Sequence, residues 1–278
     1  MSSVKNGIIY VVLGTFLLGM VFFGTKAYTY AKGYEKATTK LVTLQGAEEQ
    51  AKRQLEKFAK SILGNFFEDK RPVAFKNIQI KQQQQMQDAQ QYTRYFMYLL
   101  GGVLLSFFYI SLREFTFVGS LTAMITLIFG LITPILMVTI HKEVEYIGDI
   151  VLSFESKGVV GSIEKLFESG DFIVAFVILL FSVFVPVLKV LSLLFISIFM
   201  ENKFAHKIVK FFKMIGKWSM VDVFVVAVFL VYLTANKGDV SRAEVEVGLY
   251  FFLAYVIVSM LVSLSADKML HNHRMKER

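Results

Sequence analysis

Two charged residues, Lys189 and Asp222, stand inside stretches of the chain that are otherwise apolar. At the centre of a membrane-spanning helix each would cost roughly 2.5–3.5 kcal/mol on insertion scales. Such residues usually face the interior of a helix bundle or a wet cavity and bind a partner there. A lysine side chain spans several ångströms, so a Lys189–Asp222 pair, direct or through water, is within geometric reach. This pair is the first candidate for a functional site.

Simpler roles stay open for both charges. Ser219 precedes Asp222 by three residues at the start of a predicted helix, a spacing that resembles a capping box with Asp in place of Glu. The positive end of that helix would also favour Asp222. Lys189 could extend its ammonium towards the membrane surface without any further function. The sequence thus predicts either a buried network of Lys189, Ser219 and Asp222 or two charges accommodated separately.

The stretches around these charges have the length and composition of transmembrane helices. The 278-residue chain is 55% hydrophobic and only 19% charged, whereas about a quarter of the residues of a soluble domain are charged. Apolar blocks of this length cross a hydrocarbon core of roughly 30 Å. We therefore expect an all-α integral membrane protein with six spanning helices, at about 7–25, 95–112, 115–140, 172–200, 218–235 and 246–265. The chain has no cysteine, which excludes disulfides, thiolate metal sites and thiol nucleophiles.

Sequence features near the first three apolar blocks indicate where these helices end. Residues 1–25 favour a retained signal anchor over a cleavable signal peptide, because the apolar core is long and Tyr28-Thr29-Tyr30 is a poor cleavage site. The blocks on either side of Arg113-Glu114 predict a tight helical hairpin, with 95–114 as one helix and a short cytoplasmic turn. Thr133 precedes Pro134 late in the third block, where a proline kinks a helix or marks its outer end.

Residues 26–94 differ in kind from the apolar blocks. They hold 13 Lys/Arg, 7 Asp/Glu and a glutamine-rich run. Apolar residues recur there at steps of three and four, which puts them on one face of a helix: Leu44, Ala47, Ala51, Leu55, Phe58, Ile62 and Phe66. We expect a mainly helical extramembrane segment. It would dock on the membrane, on the rest of the protein or on a second chain, or it would act only as a spacer.

The basic residues predict the orientation. Eleven Lys/Arg fall on the side that carries Lys5, Arg113, the connection 201–217, Lys268 and the tail 269–278, against five in the loops 141–171 and 236–247. The richer side is cytoplasmic by the positive-inside rule, in which loops longer than about 60 residues count little. Both termini are therefore expected inside and 26–94 in the periplasm. The basic surplus is topological, so no nucleic-acid partner is expected.

Two runs of sequence resemble the paraquat-inducible protein A family. One is Phe-Ser-Val-Phe-Val-Pro-Val-Leu-Lys at 181–189, and the other is Gly-Lys-Trp-Ser-Met-Val-Asp-Val-Phe-Val at 216–225. The last helix fits the family's closing segment more loosely, through Gly248, Phe252 and Ser259-Met260-Leu261. The resemblance covers about 115–268 and implies a tetraspan-like module of four membrane helices. Typical members carry this module twice, and this chain carries it once.

The resemblance also implies a function. Members of the family are implicated in moving lipids between bacterial envelope membranes, alongside tunnel-forming proteins with mammalian-cell-entry domains. By this resemblance Lys189, Ser219 and Asp222 form a polar lipid site. Its structural support would come from a further set of residues, namely Pro186, Trp218, Thr133 and Pro134. Typical members also carry cysteine zinc ribbons, which this chain lacks, and a second module, which a homo-oligomer would restore.

The sequence thus favours an inner-membrane component of an envelope lipid-transport or membrane-integrity system, with membrane lipids and a mammalian-cell-entry domain protein as partners. The alternative is a non-transporting assembly or signalling subunit that binds a periplasmic partner through 26–94. Small-solute or proton-coupled transport ranks last, because it rests on the two buried charges alone. No nucleotide-binding glycine loop, paired catalytic carboxylates or nucleophile–base set occurs, so we expect neither an enzyme nor a bound cofactor or metal.

Overall fold

The computed structural model describes residues 2–45, 71–144, 148–199 and 241–276. The helices in these ranges are α1 Ser2–Gln45, α2 Arg71–Leu105, α3 Leu112–Ile132, α4 Val159–Glu168, α5 Phe172–Leu179, α6 Val185–Ile198 and α7 Val247–Lys276. The strands are β1 Leu136–Val144, β2 Gly148–Lys157 and β3 Ser241–Val245. A 3₁₀ turn, Ser106–Phe108, follows α2, and a π-helical turn, Leu180–Phe184, joins α5 to α6.

Four helical stretches in the described ranges are long and apolar enough to cross a membrane: Gly7–Thr43, Leu112–Ile132, Phe172–Ile198 and Val247–Asn272. The block expected at 95–112 is not among them. It forms the end of α2, whose first part is glutamine-rich, and α2 already ends at Leu105. The block expected at 218–235 lies outside the described residues. The number of six spanning helices therefore stays a prediction.

The helices α1 and α2 pack antiparallel. Residues further along α1 contact residues nearer the start of α2. The matched positions are Phe16 with Gly102, Gly19 with Leu99, Tyr30 with Tyr92 and Thr38 with Gln82. Neither helix breaks where the apolar block gives way to polar sequence. The described parts of the 26–94 segment, 26–45 and 71–94, are helical continuations of the apolar stretches, and together they form an extended helical pair.

The chain reverses between α2 and α3 at residues 106–111, slightly earlier than the expected hairpin at Arg113-Glu114. Ser111 caps α3 with a full capping box: its hydroxyl accepts from the Glu114 N–H at 3.3 Å, and its own N–H donates to the Glu114 carboxylate at 2.9 Å. The Tyr10 hydroxyl of α1 also donates to this carboxylate. Arg113 and Glu114 therefore belong to the first turn of α3 and tie it to its neighbours.

The helix α3 is the centre of the bundle and runs antiparallel to both α6 and α7. The Arg113 guanidinium, at its start, donates to the carbonyls of Ser197 and Ile198 at the end of α6, both at 3.0 Å. The hydroxyl oxygens of Thr116 and of Ser265, late in α7, lie 3.3 Å apart. The helices α6 and α7 are consequently parallel to each other. The end of α6 and the start of α7 lie at opposite ends of α3.

The expected boundary of the third block at residue 140 is wrong, because α3 ends at Ile132. Thr133 is extended, with φ −80° and ψ 143°. Pro134 lacks the N–H that a further helical turn would need. Of the two roles open to this proline, it marks the end of the helix.

A three-stranded antiparallel sheet in the order β2-β1-β3 follows, where the sequence predicted the end of a helix and a loop at 141–171. The strands β1 and β2 pair from Leu136↔Lys157 to Val144↔Gly148, with a bulge between Ile140 and His141. On the other side of β1, β3 pairs from Leu136↔Val245 to Ile140↔Ser241. The described helices agree with the expected helical membrane part, and the sheet is an addition that the sequence did not predict.

Glycines let the sheet join the bundle backbone to backbone. A Cβ on Gly248 would lie 2.4 Å from the carbonyl oxygens of Thr133 and Pro134, and one on Gly158 would lie 2.8 Å from the Thr133 oxygen. The Gly248 N–H donates to the Pro134 carbonyl at 2.8 Å. A side chain at either glycine would push these segments apart. The segments around Gly158 and Gly248 therefore both converge on the end of α3.

Candidate intramembrane polar site

The helix that carries Lys189 is built around Pro186. A proline within a helix removes one backbone donor, and its ring clashes with the carbonyl four residues earlier, here that of Ser182. The backbone responds with the π-helical turn Leu180–Phe184, directly before α6. Such π turns occur frequently at functional sites. Lys189 follows Pro186 by three residues, so both side chains lie on the same face of α6, and both are buried.

Lys189 is the only buried lysine or arginine among the residues whose side chains the structure describes, with 7% of its surface exposed. Among its contacts is a hydrogen bond in which the Nζ donates to the Ser259 hydroxyl of α7 at 3.2 Å. Ser259 in turn donates to the Val256 carbonyl at 3.0 Å. The serine therefore acts as an acceptor for the ammonium, while its own proton is fixed by the backbone of α7.

This contact lies deep in the bundle. Lys189 is nine residues from the end of α6, about 13 Å along the helix axis, and Ser259 is twelve residues from the start of α7, about 18 Å. The antiparallel register of α3 and α7 places Thr122, near the middle of α3, at the level of Ser259. A charge at this depth must be stabilised by polar partners or by water, and it marks a functional site by default.

The neighbouring helix α3 presents a set of fully buried hydroxyl groups. Each donates to the carbonyl four residues earlier, at 2.6–2.9 Å: Thr116, Ser120, Thr122 and Thr126. Their donors are satisfied within the helix, and each oxygen can still accept. Small residues of this kind let membrane helices pack closely. The core around the lysine is therefore compact, with acceptors available from α3.

The other residues expected at the site have different outcomes. Thr133 and Pro134 lie at the sheet end of α3, eleven or more residues from the level of Thr122, about 16 Å along the axis. The Thr133 hydroxyl is buried and has no hydrogen-bond partner among the described residues. These two residues belong to the junction with the sheet, so support of the Lys189 site from there stays a prediction.

The second hallmark run lies outside the described residues. Trp218, Ser219 and Asp222 are therefore not placed, and the Lys189–Asp222 pair stays a prediction. The sequence reasoning also missed one partner, Ser259, although its run was matched to the family. A hydroxyl near the middle of an otherwise apolar helix was the available signal.

Apolar helices packed around a buried mid-depth lysine define a multi-pass membrane protein. Comparison with known proteins gives the family. The family model of paraquat-inducible protein A matches residues 115–275, more than half of the chain, and the chain belongs to this family. The match begins in the first turn of α3, so α1 and α2 lie outside it.

Curated relatives carry names that refer to transport. The "Probable intermembrane transport protein" of Haemophilus influenzae is 31% identical over 109 residues, which cover 37% of this chain and 26% of the relative. The "Intermembrane transport protein PqiA" of Escherichia coli K12 is 29% identical over 118 residues, covering 40% of this chain and 28% of the relative. The matched stretch thus spans only about a quarter of the length of these relatives. No solved structure matches the chain significantly.

Proposed function

We propose that this protein is an inner-membrane component of a bacterial envelope lipid-transport or membrane-integrity system. In this proposal it handles lipid at the polar site around Lys189 and is not an enzyme. The observation that carries the proposal is the buried Lys189 ammonium, bonded to Ser259 at mid-depth in a module of this family. The names of the relatives, which refer to intermembrane transport, support it.

The chemistry of the site suits a phospholipid headgroup. An ammonium offers three donors, and charge-assisted hydrogen bonds to phosphate are among the stronger ones. Ser219 and Asp222 are proposed to complete the site. In its lipid-free state the Asp222 carboxylate would neutralise Lys189, and a headgroup phosphate would take its place when lipid binds. An exchange between two anionic partners avoids leaving the buried lysine uncompensated.

The test is a Lys189→Met variant expressed in cells that lack the native gene. We expect survival under detergent stress to fall at least about tenfold, at unchanged protein level, because the neutral side chain keeps the length but cannot bind phosphate. Lys189→Arg should retain more function, and Asp222→Asn should resemble Lys189→Met. The matched control is Lys268→Gln, which removes a positive charge from an exposed position of α7. Wild-type survival with Lys189→Met would refute the role of this site.

A second candidate function rests on the α1–α2 pair. These helices continue as a pair past the apolar block, with Thr38 and Gln82 bonded at 2.8 Å in the polar part. A surface of this kind suits a periplasmic partner. It would be a mammalian-cell-entry domain protein if the chain transports lipid, or an assembly partner if it does not. Gly33 and Gln85 face each other, so removing 34–84 and closing the chain with a short loop keeps the register.

That deletion separates the two candidates. Loss of a co-purifying partner together with normal detergent survival would favour the assembly or signalling subunit. Loss of survival with Lys189→Met in the full-length chain would favour lipid handling. The mass of the purified complex in detergent then tests the proposed homo-oligomer, because a dimer would provide two modules.

We further propose that both termini are cytoplasmic and that the sheet and 26–94 are periplasmic. The end of α6 and the start of α7 lie at opposite ends of α3, which supports one further crossing between them, at the predicted span 218–235. The chain has no cysteine, so single-cysteine variants can be labelled without background. Ser169→Cys should react with an impermeant maleimide from the periplasmic side, and Met275→Cys only after lysis. The reverse pattern would overturn the orientation.

A further inference from the structure

An open groove of about 580 Å³ lies between α2 and α7, near the sheet end of the bundle. Its volume is within the roughly 300–1,000 Å³ typical of sites for small molecules. One wall, α2, lies outside the region matched by the family model, and the other, α7, lies inside it. The groove therefore exists only because the N-terminal pair packs against the module.

The groove is polar at one end and apolar at the other. Arg94 of α2 and Tyr250 of α7 lie at the end nearest the sheet. Met97, Leu253 and Ile257 line the groove further into the bundle. The two helices run in the same direction here, so both walls become apolar with increasing depth. A membrane phospholipid has the same order, with its headgroup at the interface and its acyl chains below.

Arg94 lies at the edge of the apolar part of the helical pair. Its neighbour Tyr95 contacts Phe23, which is near the end of the apolar block of α1, with ring centroids 5.5 Å apart. Tyr92 stacks on Tyr30 at 5.3 Å. Tyrosines concentrate at the membrane–water interface, so this cluster indicates where the headgroups begin. Arg94 is therefore at headgroup level.

The charge of Arg94 is available for a ligand. Its side chain is exposed, and the salt bridge found among the described residues joins Lys32 to Glu35 instead. A guanidinium is planar and binds phosphate through two parallel hydrogen bonds. The Tyr250 hydroxyl, on the opposite wall, can supply a further donor. The polar end of the groove thus complements an anionic phosphate.

We propose that this groove binds one membrane phospholipid, with its phosphate at Arg94 and an acyl chain along Met97, Leu253 and Ile257. The inference rests on the proposed function and deepens it, because it names a lateral docking site for lipid beside the module. An amphipathic helix of a protein partner could also cover such a groove, but the arginine at headgroup level and the deepening apolar walls fit a lipid better.

The experiment uses the full chain in nanodiscs of phosphatidylcholine with a fraction of phosphatidylglycerol that carries a photoactivatable diazirine in one acyl chain. After irradiation, mass spectrometry locates the lipid adducts. We expect them to concentrate on the peptides that contain Met97 and Leu253–Ile257. Arg94→Gln should lower the adduct yield there roughly 3- to 10-fold, as expected for the loss of a charge-assisted hydrogen bond at a partly exposed site. Lys81→Gln, which removes an exposed charge elsewhere on α2, should leave it unchanged.

A second pair of variants tests the apolar end. Leu253→Trp should fill the groove and reduce the adducts, whereas Leu264→Trp, also on an exposed position of α7, should not. Both positions are exposed, so neither change disturbs the core. Adducts spread evenly over the lipid-facing surface, or unchanged by both Arg94→Gln and Leu253→Trp, would overturn the proposal.

The crosslinking result for the groove can be distinguished from the test of the proposed function. If Lys189→Met behaves like wild type in cells while the groove adducts form as described, the proposed function fails and the groove stands. If Lys189→Met loses function while adducts are absent from the groove, the groove fails and the proposed function stands.

Discussion

The N-terminal pair and the module differ in what their glycines touch. In the pair, the Cβ that would replace a glycine hydrogen meets the tip of a side chain: Leu99 Cδ1 at Gly19 and Gln85 Oε1 at Gly33. In the module, the Cβ at Gly130 meets the backbone of Phe252 at 2.9 Å, and at Gly248 it meets two carbonyl oxygens. Side-chain tips rotate away, but backbone cannot. The pair is therefore adaptable at these contacts, and the module is fixed at Gly130 and Gly248, although Gly119 also meets a side-chain tip, that of Val262.

Burial separates the central helices from the outer ones. In the most apolar window of each span, 17% of α1 and 22% of Phe172–Ile198 are buried inside the protein, against 67% of α3 and 56% of α7. The contacts between the pair and the module include aromatic rings, such as Phe96 against Phe251 at 4.8 Å in an edge-to-face arrangement, and the hydrogen bond from Tyr10 to Glu114. The helix α1 therefore has few neighbours along its apolar stretch, whereas α3 is enclosed by the helices around it.

The largest effect is expected from Gly248→Ala, since the added methyl group would collide with the carbonyls of Thr133 and Pro134. We expect a loss of about 2–4 kcal/mol in stability, in the upper range for overpacking. It would be measured as the unfolding midpoint of the detergent-purified protein. Gly101→Ala is the control, because nothing lies within 4 Å of that position, and it should be neutral or slightly stabilising. Equal losses in the two variants would remove the contrast between the regions.

The next effect is expected from Ser259→Ala, which takes an acceptor from a buried ammonium. Stability should fall by about 1–3 kcal/mol. Ser192→Ala is the matched control on α6, because the Ser192 hydroxyl only bonds the carbonyl of Leu188 in its own helix. If the two changes cost the same, the Lys189–Ser259 contact contributes nothing specific to the module.

A smaller and local effect is expected from Gln82→Ala, which removes the hydrogen bond to Thr38 within the pair. The loss should be about 0.5–1.5 kcal/mol. Hydrogen exchange should report faster opening in the polar parts of α1 and α2, with the module unchanged, because the regions are coupled loosely. Gln83→Ala, an exposed neighbour, serves as the control. Equal acceleration in α3 and α7 would show that the pair and the module open together.

The smallest effect is expected from Gly33→Ala. The added methyl group would lie 2.0 Å from Gln85 Oε1, yet the amide can swing away from it. We expect a change within about 0.5 kcal/mol, as for surface substitutions. A loss as large as that of Gly248→Ala would mean that the pair is packed as rigidly as the module.

The sequence predicted the apolar helices and Lys189 for a simple reason. A long apolar block has the length of a transmembrane helix, and a charge inside such a helix is energetically costly, so it indicates a function. The sheet was not predictable in the same way. Leu136–Ile140 continues the apolar composition of α3, and the partner strand β3 lies about a hundred residues later in the chain. Pairing over that separation depends on tertiary contacts rather than on local preference.

The residues of the two candidate sites likewise differ in whether the sequence alone could predict them. Ser259 was missed as a partner because serines are common in membrane helices, and its role depends on the parallel arrangement of α6 and α7. Arg94 was counted with the polar segment 26–94, where its charge means little by itself. Its place at a groove depends on α7, which carries Tyr250 and lies more than 150 residues later in the chain.

The unbroken course of α2 has a mechanical consequence. Arg94 lies 23 residues, or about 34 Å along the axis, from Arg71 at the start of the same helix. The antiparallel α1 braces this rod, while α7 is held to α3 through the glycine contacts. The pair therefore has the geometry of a lever arm, which meets α7 at the Phe96–Phe251 contact. We expect a force applied to the end of the pair near Arg71 to change the width of the groove between α2 and α7.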